Sequence, residues 1–161
     1  MSTLNQGRWT HDNGDEGVVV FLIGMRVNRL RAVRTWLPVA RAMPRMLAEL
    51  AKDPALGLLG VTSCVQARGA LVVQYWRDAE SLLSYAHAAD HEHRPAWRDF
   101  NRLVREADGA VGIWHETFVV PSHAHESVYV DMPSQGLAAA LGARRVDARS
   151  TSARQRLGRA A

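Results

Sequence analysis

Two short stretches concentrate the side chains able to do chemistry. HEHRPAWRDFN (91–101) holds His91, His93, Trp97 and Asn101, and GIWHET (112–117) holds Trp114, His115 and Glu116. An imidazole, with a pKa of about 6.5, can take up and return a proton near neutral pH or ligate a metal in its neutral form. His93 and His115 are therefore the candidate general bases. A carboxamide can donate a hydrogen bond to an oxyanion as it develops, which gives Asn101 a role beside them. His93, Trp97 and Asn101 recur at four-residue steps, so Trp97 and Asn101 share one helical face with His93 just before it. His87 and His91, with Asp90 and Glu92, read instead as a solvated helix end.

The second stretch reads as a strand, in which side chains alternate between faces. Val111, Ile113, His115, Thr117 and Val119 share one face; Gly112, Trp114, Glu116, Phe118 and Val120 share the other. His115 and Trp114 cannot line the same pocket. The same alternation sets Gln74 and Trp76 against Val73 and Tyr75. The pattern leaves open which face meets the helices, because both are apolar.

The elements that must position these groups follow from periodicity. GVVVFLIGMRV (17–27) is apolar on both faces and rich in β-branched residues, as a strand covered on both sides should be. Val33, Trp36, Leu37, Ala40, Met43, Leu47 and Leu50 recur at helical steps, with Pro38 and Pro44 predicting a kinked or broken helix. Two strands, VTSCVQ and ALVVQYW, flank a turn at Arg68-Gly69. Asp78 is the expected N-cap of a helix through DAESLLSYAHAA, Pro95 starts the next, Gly109 ends it, and 109–120 is the fourth strand. The order is βαββαβ, an α+β ferredoxin-like fold with helices on one sheet face. The other face needs a cover, for which a second copy is the simplest candidate, so a homodimer is expected. ESVYVDMP (126–133) is an extra strand or arm able to reach a partner or close a pocket mouth.

The chain of 161 residues suits a single domain, here assigned to 17–142, with 1–16 as a flexible leader and 143–161 as a basic disordered tail. The net charge of +4 is concentrated in that Ala, Ser and Arg-rich tail, which argues against a nucleic-acid surface on the domain itself. No apolar run approaches a membrane span, and MSTLNQGRWTHDNGDEG has no secretory pattern, so a cytoplasmic protein is expected. One cysteine, Cys64, excludes an intrachain disulfide and a thiolate metal cluster. His123, His125 and Glu126 are too weak a pattern for a metal site, and no phosphate-binding glycine motif is present.

Several stretches in order, VVFLIGMRVNR, WLPVARAMPRM, GLLG, VQYWRD, HRPAWRDFN, GIWHETFVVP, and YVDMP with GLAAALG behind it, resemble one family. It is the monooxygenase-like family related to a fumagillin-pathway enzyme, a branch of the dimeric α/β-barrel superfamily that holds the antibiotic-biosynthesis monooxygenases. The resemblance covers about residues 17–142. It implies the ferredoxin-like fold, a dimer, and oxidative chemistry on a small organic molecule. It also singles out His93, because the RPAW after it belongs to the family's pattern. Small haem-degrading members of the superfamily supply a further comparison. At their Asn-Arg-Leu stretch this chain has Asn28-Arg29-Leu30; at their bulky helix aromatic it has Tyr85 in place of tryptophan; at their haem-ligating histidine it has His93, slightly short of the spacing. These departures count against haem degradation and leave haem binding open, with Arg26, Arg29 or Arg94 to meet propionates.

The leading expectation is a cofactor-independent monooxygenase acting on a small, aromatic or secondary-metabolite substrate. His93 or His115 acts as base, Asn28 and Asn101 hold the oxyanion, and Trp97, Trp114, Tyr75, Tyr85 and Arg26 bind substrate and exclude water. The alternatives are a haem protein with His93 as axial ligand and a non-catalytic dimer that binds a small ligand.

Overall fold

The structure, a computed structural model, describes residues 4–12, 16–87 and 95–158, without the side chains of His87 and of residues 95–98. Its principal sheet is antiparallel, in the order β3 (Leu58–Gln66), β4 (Gly69–Trp76), β2 (Val18–Val27), β5 (Val111–Val120). Helices α1 (Val33–Leu50), α2 (Ala79–His87) and α3 (Pro95–Glu106) connect these strands in the βαββαβ order, so the fold is α+β and ferredoxin-like.

The strand residues with odd numbers in β2, together with Val72 and Trp76 of β4 and Val111 of β5, form the core with Val39, Ala42, Met46 and Leu50 of α1. Leu82 and Tyr85 of α2 and Phe100 of α3 complete it. Helix α1 runs from Val33 to Leu50 through both Pro38 and Pro44, so of the kink or break that the prolines predict, no break occurs. Each proline still removes one main-chain bond, and burial of one apolar stripe against the sheet holds the helix through the gap. Asp78 caps α2 as its position predicts, its carboxylate accepting a 2.6 Å bond from the Ser81 amide. That charge-accepting role, followed by the Ser81 side chain and Arg77, keeps the Asp78 carboxyl below its ordinary pKa.

Two expectations are corrected at the ends of the chain. Residues Leu4–His11 are a strand, β1, and not a flexible leader. It pairs on one edge with β6 (Tyr129–Pro133) and on the other with β7 (Ala143–Arg145), making a second antiparallel sheet in the order β6-β1-β7. The segment 126–133 therefore finds its partner within the same chain. The basic tail likewise contains β7 and a short helix rather than a disordered run. Arg156, in the short helix α5 (Ala153–Arg156), is 5% exposed and donates a 2.7 Å bond to Glu126 and others to the carbonyls of Ser150 and Thr151. Composition missed this because one buried ion pair and a Ser152–Gln155 capping box anchor the segment, with little apolar burial.

The second sheet and helix α4 (Leu137–Leu141) cover part of the helix-free face of the principal sheet. A Cβ on Gly60 would lie 3.3 Å from Ala140, and one on Gly136 would lie 3.3 Å from each of the Tyr75 and Tyr129 hydroxyls. The β2–β5 half of that face stays open and carries Trp114 and Phe118, 41% and 48% exposed. No helix among the described residues is long and apolar enough to cross a membrane.

Candidate active site

Between the principal sheet and its helices lie two cavities that share Ile23, Phe100 and Ile113 in their walls. The inner one, about 140 Å³, is bounded by Met25, Val39, Ala40, Met43, Pro44, Leu47, Ala70 and Val72, with Ser63 its polar side chain. The outer one, about 260 Å³, adds Phe21, Met46, Trp76, Leu82 and Tyr85 to a set of hydrogen-bonding groups: Gln74, Asn101, His115 and Thr117. No charged side chain lines either cavity among the described residues.

Strand register explains this polarity. Phe21 of β2 sits between Gln74 of β4 and Thr117 of β5, and Ile23 between Val72 and His115, so the four polar and apolar side chains alternate on the helix-facing side. Gln74 is buried, and its carboxamide oxygen accepts a 2.9 Å bond from the Trp76 indole nitrogen, which fixes the amide plane. Trp76 in turn meets Tyr85, with ring centroids 5.7 Å apart. His115 stands at the exposed mouth with its ring 5.6 Å from Phe21. A histidine half in water and half against an aromatic wall can accept a proton from a bound molecule and release it to solvent.

The structure thus brings His115, Asn101 and Tyr85 to one cavity. His93, Arg94 and the Trp97 side chain lie outside the described residues. Trp114 and Tyr75 occupy the opposite sheet face: Trp114 packs over Gly24, and Tyr75 faces Gly136 beside Tyr129. There, burial and the nearby Tyr129 push the Tyr75 phenol pKa up. Neither ring is a cavity wall, because odd-numbered β5 residues and even-numbered β4 residues are the ones that face the helices. Asn28 ends β2 and donates to the Gly109 carbonyl at 3.2 Å, outside both cavities. Arg26 is exposed on the face that also carries Trp114, where it has no access to the cavity. Gln74 and Trp76 were missed as site residues, although a glutamine inside the apolar run ALVVQYW was a signal for one of them.

Neither described arginine expected beside haem lines the cavity, and His93 and Arg94 lie outside the described residues. Arg26 and Arg29, expected to meet propionates, are exposed beyond the cavity lining, and Arg29 is paired with Asp108. Nor do His123, His125 and Glu126 converge on a metal. His125 Nδ1 turns inward to His11 Nε2 at 2.8 Å, Glu126 is engaged by Arg156, and the described residues contain no group of three or more such ligands.

Comparison with known proteins agrees with this architecture. The family model described as Monooxygenase af470-like matches residues 18–137. A relative, monooxygenase af470 of Aspergillus fumigatus, is 29% identical over an alignment of 138 residues that covers 78% of this chain. The chain spans less than half, 46%, of that relative's length. An aldoxime dehydratase structure superposes with a TM-score of 0.63 at 16% identity, covering 83% of this chain and 40% of that one. A second, an aldoxime dehydratase in complex with butyraldoxime, gives 0.61 at 15% identity, covering 85% and 39%. At such identity these two share the fold alone. With the match extending over most of the chain, from the first core strand to the start of α4, the protein belongs to the Monooxygenase af470-like family.

Proposed function

We propose that the protein is an oxidoreductase that inserts one atom of dioxygen into a small organic substrate without a resident cofactor, with His115 as general base. The reading is carried by the placement of His115 at the mouth of a cavity with no Asp, Glu, Lys or Arg in its described lining, whose polar groups, Gln74 and Asn101, face the same space. Family membership supports the oxidative class. A substrate with an activated CH2 group gives up a proton to His115, and its carbanion or enolate supplies electrons to dioxygen. The balance is R–CH2–R′ + O2 → R–CO–R′ + H2O, so the substrate is its own reductant and no further electron donor is needed. Asn101 and Gln74 donate hydrogen bonds to the oxygen on which negative charge gathers, and Phe21, Trp76 and Phe100 keep water from that anion.

The test is oxygen uptake by the purified protein over a panel of neutral phenols and 1,3-dicarbonyl compounds. An active compound should lose about 100-fold or more in kcat with His115→Ala, the scale of a general base. A panel that draws no oxygen, or a His115→Ala protein that turns over normally, overturns the reading. Two copies are proposed to pair through the open β2–β5 face, where Val20, Leu22, Trp114 and Phe118 form an apolar patch with Arg26 at its edge and Glu116 between the two rings, a surface suited to a two-fold interface.

A further inference from the structure

The two cavities differ in a way that specifies a ligand. The inner one is apolar on nearly every side and has about 140 Å³ of room. An apolar cavity of about 150 Å³ in a protein core stays dry and takes up benzene, so a space of this size and lining accepts one six-membered ring or an equivalent branched alkyl group. It does not accept two fused rings without displacing α1. The outer cavity holds Gln74, Asn101, His115 and Thr117 beside the Tyr85 phenol, with His115 and Thr117 at its exposed mouth. Ile23, Phe100 and Ile113 are common to both, which puts the apolar chamber next to the polar one across a single layer of side chains.

We infer that the ligand of this site is a neutral molecule with a single-ring-sized apolar part, seated in the inner cavity against Met25, Met43 and Val39, and one hydrogen-bonding end held at Gln74, Asn101 and His115. The described lining favours a neutral molecule. An arriving carboxylate or phosphate would leave water for a space without a counter-charge among the described residues, and such a transfer is costly. A neutral acid such as a phenol or enol enters without that cost and becomes an anion only where His115 takes its proton. The size limit follows from Val39 and Met43, which lie on the α1 wall, and from Val72 and Ala70 on the sheet. The inference rests on the proposed function in taking this cavity as the reaction site, but it concerns binding and can be measured apart from turnover.

The experiment uses the full chain with 13C-methyl-labelled methionine and four probes: 4-methylphenol, toluene, benzoate and 9-phenanthrol. Saturable shifts of the Met25 and Met43 methyl resonances report occupancy of the inner cavity. 4-Methylphenol should bind best, toluene more weakly for want of the polar contacts, and benzoate and 9-phenanthrol each about tenfold or more weaker than 4-methylphenol. Ala40→Leu, which fills the inner cavity from α1, should reduce 4-methylphenol binding by about tenfold or more while leaving the fold intact. The series on the unaltered protein decides the matter even if that variant does not fold. Benzoate or 9-phenanthrol binding as tightly as 4-methylphenol, or shifts confined to residues outside both cavities, would overturn the inference. Preferential binding of 4-methylphenol with no oxygen uptake across the phenol panel leaves the ligand class standing and removes the monooxygenase reading.

Discussion

His125 illustrates how much one buried nitrogen can govern. Its Nδ1 meets His11 Nε2 at 2.8 Å, His11 Nδ1 meets the Ser127 hydroxyl at 2.7 Å, and its own Nε2 is buried without a hydrogen-bond partner among the described residues. Burial, and secondarily the charge of His123, lower the His125 pKa from 6.5. The sign follows directly. The unfolded chain binds a proton at a pH where the folded chain does not, so folding stability is full above about 6.5 and is lost as pH falls below it toward the depressed folded value. Chemical denaturation at a series of pH values should show this decline, and His125→Gln should flatten it; an unchanged slope in that variant would assign the decline elsewhere. At this scale the sequence was legible in kind and not in phase. Alternation correctly set His115 against Trp114, yet strand periodicity has no term for where the helices pack. Tyr75 was therefore favoured over its neighbour Gln74, and only the layer of Phe100 and Met46 above the sheet shows that the even-numbered side of β4 faces inward.

Elements were read more securely, because each has its own local signal. The Arg68-Gly69 turn, the Asp78 cap and the stop near Gly109 all stand where their chemistry puts them. The hairpin also has a requirement beyond turn type. A Cβ on Gly69 would fall 1.8 Å from the Met25 carbonyl oxygen, a main-chain atom in the adjoining strand. A Cβ on Gly24 would instead meet the Trp114 indole at 2.3 Å, a side chain at an open surface. Gly69→Ala should accordingly destabilise more than Gly24→Ala. We expect about 3 kcal/mol or more for the first, where β2 and β4 must separate, and about 1–2 kcal/mol for the second, where the ring can swing away. Urea midpoints at constant m-value check the ranking. The strands at the chain ends were not legible because Leu4–His11 has little apolar character and gains its structure from β6 and β7, far away in sequence.

For the whole molecule, two contacts set how the parts hold together. Arg156 ties the short helix α5 to Glu126 in a pair that is largely out of water. Arg156→Ala leaves Glu126 without its partner and should cost about 3–5 kcal/mol, visible as a lower melting temperature and early trypsin cleavage after the arginines beyond 143. If cleavage is no faster than in the parent, the tail is held by something else. The open face predicts assembly: Trp114→Asp should shift the protein from dimer to monomer in light scattering, since a carboxylate there would oppose Glu116 of its own strand and lose its water at the interface. A parent protein that is monomeric at all accessible concentrations would refute that pairing.

The pairing of β1 with β6 and β7 has a consequence for synthesis. Once made, β1 has no partner until about 120 residues later, which at ordinary elongation rates leaves its edges unsatisfied for roughly ten seconds. During that time the βαββαβ unit can complete its own hydrogen bonding without β1, so the order of assembly is inverted relative to the order of translation. β1 is locked in after the strands that follow it, by β6 and β7.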